Sequence, residues 1–159
     1  WSTFWSVFAH ILRNCVDHGI ELPSERLAAG KPESGRVTMA IQELEDAVVF
    51  RFGDDGRGID WARIASRARG LGLPHKTQAD LEEALFADSV STRDEVTQMS
   101  GRGVGMGAVR ECVRGLGGRI TLQSELGKGT TFYFTFPLSM LRDESHSFMS
   151  LAPQPRAPS

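Results

Sequence analysis

The chain has 159 residues, close to the usual length of one domain, and its net charge at neutral pH is −2. This charge balance excludes nucleic acid as the main ligand, because binding to a phosphate backbone needs an excess of basic residues. No apolar run reaches the ~18 residues of a membrane span, and the first residues lack the basic start of a signal peptide. The sequence therefore predicts a cytoplasmic protein without a membrane span.

The cysteine and glycine contents further restrict the kinds of site that the chain can form. Two cysteines, Cys15 and Cys112, are too few for a disulfide framework, and neither has a neighbour at metal-ligand spacing. We therefore expect both to be buried and to pack as small apolar side chains. Glycine is unusually frequent, with 17 residues, and many of them fall between Gly101 and Gly129. Such a segment can bring backbone close to a ligand.

The first third of the chain alternates between helical and strand patterns. Apolar residues at helical spacing predict a helix over residues 2–18 that ends at Gly19. A long connection follows, with a short helical turn at residues 24–29. Alternating apolar residues then predict two strands, 37–41 and 47–52, which form a β-hairpin.

Two short helices follow the hairpin. Asp60 is a suitable N-cap for the first of them. Asp80, with Glu83 three residues later, has the pattern of a capping box that opens a second helix ending at Phe86. Residues 87–105 show little periodicity.

The last third predicts another helix and another hairpin. Met106, Val109 and Val113 lie on one helical face, which Gly117 and Gly118 close. Residues 119–124 and 130–138 alternate as two antiparallel strands. The second strand has three phenylalanines on one face: Phe132, Phe134 and Phe136.

The order of these elements predicts a fold of the α/β (α+β) class. The parsimonious arrangement is a two-layer sandwich, with a mixed, largely antiparallel sheet and helices on a single face. We expect this domain to cover residues 1–141. Residues 142–159 are polar and then rich in proline, and we expect them to form a flexible tail or linker.

Polar side chains gather on the face of the first helix opposite its apolar stripe. They are His10, Asn14, Asp17 and His18. An amide oxygen beside an imidazole and a carboxylate suits a hard cation that bridges phosphates. An ordinary solvated helix face is the alternative interpretation.

The segment from Asp54 to Gly58 reads Asp-Asp-Gly-Arg-Gly and directly follows the second strand. It holds a carboxylate at a strand end, while Gly56 and Gly58 let the backbone approach a ligand. An EF-hand is excluded, because Ala65 occupies the twelfth position, where a glutamate is needed. A plain turn remains possible.

The glycine-rich run from Ser100 to Gly107 leads into the Met106 helix. The free N–H groups of a helix N-terminus favour phosphate, so this run is the main candidate for a phosphate cradle. A Rossmann fingerprint is rejected because residues 89–100 do not form a buried strand, and a P-loop is absent. Arg102 is either a phosphate ligand or an exposed loop residue.

In their order along the chain, these segments resemble the ATP-binding kinase domain of CheA-type chemotaxis histidine kinases. The residues that carry the resemblance are 10–21, 26–31, 54–59 and 101–106. This family belongs to a superfamily with gyrase, heat-shock chaperone and mismatch-repair ATPases. The resemblance covers residues 10–138 and implies the Bergerat-type ATP-binding fold, with ATP and Mg²⁺ as cofactors.

The resemblance also implies a role for each site residue. Asn14 would hold Mg²⁺ with the help of His10, and Asp54 would accept the adenine amino group. The other residues would line the base pocket (Gly56, Gly58), surround the phosphates (Arg13, Asp17, His18), form the ATP lid (Gly101, Arg102, Gly103, Gly105) and back the adenine (Thr130, Thr131). The GKGTT segment 127–131 could otherwise be a simple hairpin turn.

The implied reaction is transfer of the ATP γ-phosphate to a histidine on a separate phosphotransfer domain, and through it to a response regulator. Adaptor or dimerisation domains of a parent protein would be further partners. His75 and His146, in a loop and in the tail, are poor acceptors. We therefore expect the acceptor histidine on another domain or chain.

Some features depart from the family pattern. Gly107 stands where an aspartate usually follows Gly-Val-Gly-Met, and Val90 lies where Pro-Gly-Phe-Ser-Thr is usual. The family domain also has a strand before the first helix. The first two features leave a second hypothesis open, a catalytically impaired nucleotide-binding or docking module. A gyrase-type ATPase is disfavoured, because His10 replaces the helical glutamate base.

Overall fold

The computed structural model describes residues 8–9, 11–13, 15–87 and 106–139. The first helix, α1, comprises the helical residues 8–9 and 11–13 and a π-helical turn at Cys15–Gly19. The other elements, in chain order, are α2 (Pro23–Ala28), β1 (Val37–Glu43), β2 (Ala47–Asp54), α3 (Trp61–Gly70), α4 (Gln78–Leu85), α5 (Met106–Gly115), β3 (Arg119–Glu125) and β4 (Gly129–Pro137).

The four strands form one sheet in the order β1-β2-β4-β3. β1 and β2 form one hairpin and β3 and β4 the other, as the alternation predicts. The hairpins join through β2 and β4, with Phe50 opposite Phe134. Each neighbouring pair of described strands is antiparallel, which agrees with the expected, largely antiparallel sheet.

The core lies between the sheet and two helices. Phe50 and Phe52 of β2 share one face with Phe134 and Phe136 of β4, and all four are buried. The helical residues packed there are Phe8, Ile11 and Cys15 of α1 and Val109 and Val113 of α5. The Phe8 ring lies 4.3 Å from that of Phe52, centroid to centroid. This packing confirms the two-layer sandwich.

A smaller apolar cluster joins α3 and α4 through Ile64, Ala68 and Ala84. Asp60 caps α3, since its Oδ1 accepts the Arg63 N–H at 2.9 Å, as predicted. The predicted cap of α4 is wrong.

The N-cap of α4 is Thr77, with Asp80 as its third helical residue. The Asp80 N–H donates to Thr77 Oγ1 at 3.1 Å, and the Thr77 N–H donates to Asp80 Oδ2 at 3.0 Å. Both Thr77-x-x-Asp80 and Asp80-x-x-Glu83 fit the capping pattern. The structure uses the earlier pair, and Glu83 instead binds Arg110 Nη1 at 2.7 Å.

Cys15 and Cys112 are both free thiols, Cys15 buried and Cys112 half-buried. Within the described residues, no helix has the length and apolar character needed to cross a membrane. The predicted tail, residues 142–159, lies outside the described residues.

Candidate nucleotide-binding site

Asp54 is the last residue of β2, and its half-buried carboxylate is held from three sides. The Gly56 N–H donates to Asp54 Oδ1 at 2.9 Å. The Cys15 thiol and the Thr130 N–H donate to the same carboxylate. Burial raises the pKa of Asp54 above its ordinary value, although these hydrogen bonds oppose the rise. A carboxylate has about four acceptor sites, so one remains for a ligand donor.

Cys15 reaches Asp54 from the π-helical turn at the end of α1. The Ile20 N–H donates to the Cys15 carbonyl at 2.8 Å, an i to i−5 bond that widens this turn. Burial, followed by the nearby Asp54 charge, raises the pKa of the Cys15 thiol to about 12. The thiol therefore stays protonated and acts as a donor to Asp54.

Gly56 allows the loop after Asp54 to lie directly against the end of α1. A Cβ at Gly56 would lie 2.0 Å from the Gly19 carbonyl oxygen. The same oxygen accepts the Arg57 N–H at 2.8 Å. Only glycine fits this approach to the protein's own backbone, and the predicted place of Gly56 in a base pocket stays a prediction.

The loop that follows Asp54 also lies directly against the β3–β4 hairpin. A Cβ at Gly58 (φ +70°) would lie 2.2 Å from the Glu125 carbonyl oxygen. A Cβ at Gly129 (φ +105°) would lie 2.0 Å from the Asp54 carbonyl oxygen. The segment 127–131 is therefore more than a simple turn.

Ser124 is a positioning residue that the sequence does not reveal. Its Oγ accepts the Ile59 N–H at 2.8 Å and donates to the Gly129 carbonyl at 3.1 Å. The Thr130 Oγ1 lies 2.9 Å from the Ser124 Oγ. Because the Ser124 proton is committed to Gly129, Thr130 donates in this pair. A single hydroxyl thus joins the Asp54 loop to the hairpin.

Arg26 supports the loop from behind and is completely buried. Its guanidinium donates to the carbonyls of Pro32 (2.8 Å), Ser34 (3.4 Å) and Asp55 (3.3 Å). It also binds the carboxylates of Glu21 and Asp55, each at 3.0 Å. A buried arginine is tolerated only when it is paired and hydrogen-bonded, and this one is.

Lys31 completes this network. Its Nζ binds Glu21 Oε1 at 2.7 Å and donates to the carbonyls of Asp55 (3.0 Å) and Gly56 (2.7 Å). Burial opposes ionisation of Glu21, but hydrogen bonds, led by that from Lys31, hold the pKa of Glu21 below its ordinary value. The pKa of Asp55 is also lowered, because the Arg36 N–H and Arg26 outweigh its burial.

The structure brings some of the predicted site residues together. The structure places four of them near one another: Asp54, Gly56, Thr130 and Thr131. Thr131 packs closely against Gly53, since a Cβ at Gly53 would lie 2.9 Å from Thr131 Oγ1. Arg13, Asp17 and His18 are exposed on α1. The remaining predicted residues lie outside the described ones: His10, Asn14, Gly101, Arg102, Gly103 and Gly105.

Neither of two surface cavities includes a predicted site residue. One, of about 230 Å³, lies between α4, α5 and β3, and the other, of about 240 Å³, lies on the open face of the sheet. Within the described ranges, no three His, Cys, Asp or Glu side chains are placed to hold a metal ion. The described residues thus include those predicted to contact adenine, and both the adenine and the metal assignments stay predictions.

Several known proteins are similar to this chain in sequence. Residues 4–140 match the family model for histidine kinase-, DNA gyrase B-, and HSP90-like ATPases. The chemotaxis protein CheA of Cereibacter sphaeroides is 41% identical over 135 residues, which cover 82% of this chain and 20% of that protein. CheA of Halobacterium salinarum is 40% identical over 137 residues, with the same coverage of each chain.

Two further matches have different names. The gliding motility regulatory protein of Myxococcus xanthus is 39% identical over 137 residues, covering 82% of this chain and 18% of that protein. A solved histidine kinase domain from Erythrobacter litoralis EL346 is 20% identical, covers 86% of this chain and 44% of that one, and has a TM-score of 0.47. The chain spans about a fifth of the length of the curated relatives it matches. By the family match over residues 4–140, this chain belongs to the histidine kinase-, DNA gyrase B-, and HSP90-like ATPases, and its sequence is similar to the ATP-binding region of CheA.

Proposed function

We propose that this chain is the ATP-binding catalytic domain of a CheA-like histidine kinase. It binds Mg-ATP and transfers the γ-phosphate to a histidine on a separate phosphotransfer domain. The observation that carries the proposal is the half-buried Asp54 carboxylate, oriented by three donors and with acceptor capacity left. This geometry suits recognition of the exocyclic amino group of adenine.

The chain's own residues prepare this acceptor. Cys15 and the Gly56 N–H fix the direction of the Asp54 carboxylate, so little ordering is required when the base binds. Ser124 and Arg26 hold the two ends of the following loop. The adenine amino group then donates to the ionised carboxylate of Asp54. That carboxylate is partly shielded from water, where hydrogen bonds to a charged group are strong.

Phosphoryl transfer needs mainly positioning and charge neutralisation. By the family resemblance, Asn14 and His10 would hold Mg²⁺, which supplies that neutralisation when bound. Arg13, Asp17 and His18 are exposed on the same helix as the Cys15 turn, one end of which contacts the Asp54 loop. A phosphotransfer domain, a response regulator and adaptor domains of a longer parent protein are the partners that this function requires.

Calorimetric titration with ADP tests the nucleotide site directly. We expect saturable binding to the wild type and at least a tenfold loss with Asp54→Asn, since ~1.4 kcal/mol of hydrogen bonding to a charged group corresponds to that factor. Asp46→Asn is the matched control, because Asp46 lies in the exposed turn between β1 and β2. Equal affinity of all three proteins would contradict the adenine role of Asp54.

A phosphotransfer assay separates the kinase from the alternative docking module, which Gly107 at the second position of α5 motivates. The chain is mixed with labelled ATP, Mg²⁺ and a CheA-type phosphotransfer domain. Label on the acceptor histidine supports the kinase. ADP binding without transfer, including in a Gly107→Asp variant, would favour the docking module.

A further inference from the structure

The peptide unit that joins Asp55 and Gly56, in the loop after Asp54, is bound at both of its polar groups. Its N–H, that of Gly56, donates to Asp54 Oδ1 at 2.9 Å. Its carbonyl, that of Asp55, accepts from Lys31 Nζ at 3.0 Å and from Arg26 Nη1 at 3.3 Å. The carbonyl and the N–H of a trans peptide unit point in opposite directions. The unit therefore lies between two cations on one side and the carboxylate of Asp54 on the other.

Positive charge at the carbonyl of this unit strengthens the hydrogen bond at its N–H. Hydrogen bonds in a chain polarise one another, since a cation bound to a carbonyl draws electron density away from the N–H of the same unit. Burial raises the pKa of Asp54, and the bond from the Gly56 N–H is foremost among the hydrogen bonds that lower it. The two cations thus act on the bond that contributes most to keeping Asp54 ionised.

Lys31 also binds the next peptide unit, which joins Gly56 and Arg57. The Gly56 carbonyl accepts from Lys31 Nζ at 2.7 Å. At the other end of the unit, the Arg57 N–H donates to the Gly19 carbonyl at 2.8 Å. Glycine has more backbone freedom than any other residue, so Gly56 by itself does not fix the path of the loop. One ammonium group restricts the two peptide units on either side of it.

Lys31 is itself held in place. Its backbone N–H donates to the Arg26 carbonyl at 2.9 Å, just after Gly30, whose φ is +72°. Its Nζ binds Glu21 Oε1 at 2.7 Å, and the Lys31 and Glu21 side chains are only 17% and 11% exposed. An ammonium group has three N–H donors, and Glu21 and the two loop carbonyls use all three. Lys31 therefore has no donor left for a nucleotide.

Arg26 and Lys31 differ in what else they hold. Arg26 is completely buried and also binds the carbonyls of Pro32 and Ser34, so its loss affects more than the loop. The hydrogen bonds of Lys31 Nζ go to Glu21 and the loop alone. Without the Lys31 ammonium group, Glu21 would still have its ion pair with Arg26 Nη1 at 3.0 Å. Lys31 thus connects the network to the loop without also holding other segments.

We propose that Lys31 is a positioning residue for the bound base. Its ammonium group fixes the two peptide units around Gly56 and strengthens the Gly56 N–H bond to Asp54. It thereby holds the Asp54 carboxylate in the direction in which it accepts from the nucleotide. Lys31 does not touch the nucleotide in this role and acts through Asp54. The effect on binding rests on the proposed function, whereas the effect on the Gly56 N–H needs no ligand.

The amide proton resonance of Gly56 in the nucleotide-free chain tests the first step. Lys31→Met removes the charge but keeps most of the apolar side chain, so the Gly56 N–H bond should weaken and its proton resonance should move upfield. Lys31→Gln keeps a neutral donor and should shift the resonance in the same direction, which provides a second variant if the first does not fold. Circular dichroism checks folding.

Lys76→Met is the matched control, because Lys76 is exposed in the loop between α3 and α4. It should leave the Gly56 resonance where it is in the wild type. A Gly56 resonance that is also unchanged in the folded Lys31 variants would overturn the proposal.

Titration with adenosine tests the second step, since adenosine has no phosphate for a lysine to attract directly. We expect Lys31→Met to weaken adenosine and ADP binding by the same factor, about fivefold, which corresponds to the ~1 kcal/mol of a typical net hydrogen bond. Lys31→Arg keeps the charge and the donors and should lose less affinity.

Two outcomes of the titration would overturn the positioning role. One is an adenosine affinity of Lys31→Met equal to that of the wild type. The other is a loss for ADP alone, which would show that Lys31 acts on the phosphates. If the wild type binds neither ligand, the proposed function is wrong, and the Gly56 resonance alone then decides whether Lys31 acts on the loop.

Discussion

The buried guanidinium of Arg26 binds the carboxylate of Asp55 at 3.0 Å, immediately beside Asp54, the residue proposed to bind the nucleotide. Arg26 has no exposed surface, whereas the Asp55 side chain is 40% exposed. The pair therefore connects the interior, behind α2, to the loop that begins at Asp54. Through this connection, the position of Asp54 depends on a residue 28 positions earlier in the chain.

Replacing Arg26 with methionine should destabilise the fold and loosen the Asp54 loop. The change leaves Glu21 and Asp55 without one buried partner, and breaking such a pair costs about 3 kcal/mol. Denaturant unfolding measures the loss. Arg57→Met is the control: its ion pair with Glu25 is about half exposed on both sides, and exposed pairs contribute at most ~1 kcal/mol. Equal losses in the two variants would contradict a special role for Arg26.

Gly56→Ala should weaken ADP binding and also lower stability. The added methyl group would lie 2.0 Å from the Gly19 carbonyl oxygen, so either the loop or the end of α1 must move. Gly115→Ala, at the end of α5, is the matched control, because its methyl group meets no atom within 4 Å. That substitution should stabilise the protein by about 0.4–1 kcal/mol. An ADP affinity unchanged by Gly56→Ala would show that this contact does not shape the site.

Nucleoside binding should weaken as the pH falls, and it should do so at a higher pH than an ordinary aspartate would allow. Burial raises the pKa of Asp54, so its carboxylate becomes protonated at a higher pH than usual. The protonated group is a poorer acceptor for the adenine amine, so affinity is present above the raised pKa and lost below it. Adenosine is the suitable ligand, because it has no phosphate that titrates. An adenosine affinity that stays constant as the pH falls would contradict the assignment.

Iodoacetamide should modify Cys112 in the folded protein and leave Cys15 intact. Cys15 is buried and its thiol pKa is raised to about 12, so almost no thiolate is present at neutral pH. Cys112 is only half-buried. Mass spectrometry of the intact chain gives the number of labelled thiols, and both should react after unfolding. Modification of Cys15 at the rate of Cys112 in the native protein would show that the π-helical turn opens.

The sequence was sufficient to predict the hairpins and several helix ends. Alternating apolar residues predicted both hairpins, and the caps at Asp60 and Gly117 marked helix ends. The family resemblance assigned Asp54 and Thr130 to one pocket, and the two residues are hydrogen-bonded in the structure. These features depend on residues close together in the chain or on a recognisable pattern.

Other features were decided only by packing in three dimensions. Two overlapping patterns could cap α4, and the choice of Thr77 leaves Glu83 free to bind Arg110. Ser124 is an ordinary strand residue until the fold brings it to the Ile59 N–H, 65 positions away.

The sequence by itself determined the alternation, the helix faces and the residue types of the site, since each follows from local conformational preference and spacing. The tertiary structure alone decided that Arg26 is buried, that Cys15 donates to Asp54 and that β2 and β4 join the two hairpins. The physical reason is that burial and hydrogen-bond partners depend on contacts between distant segments. No periodic pattern along the chain encodes those contacts.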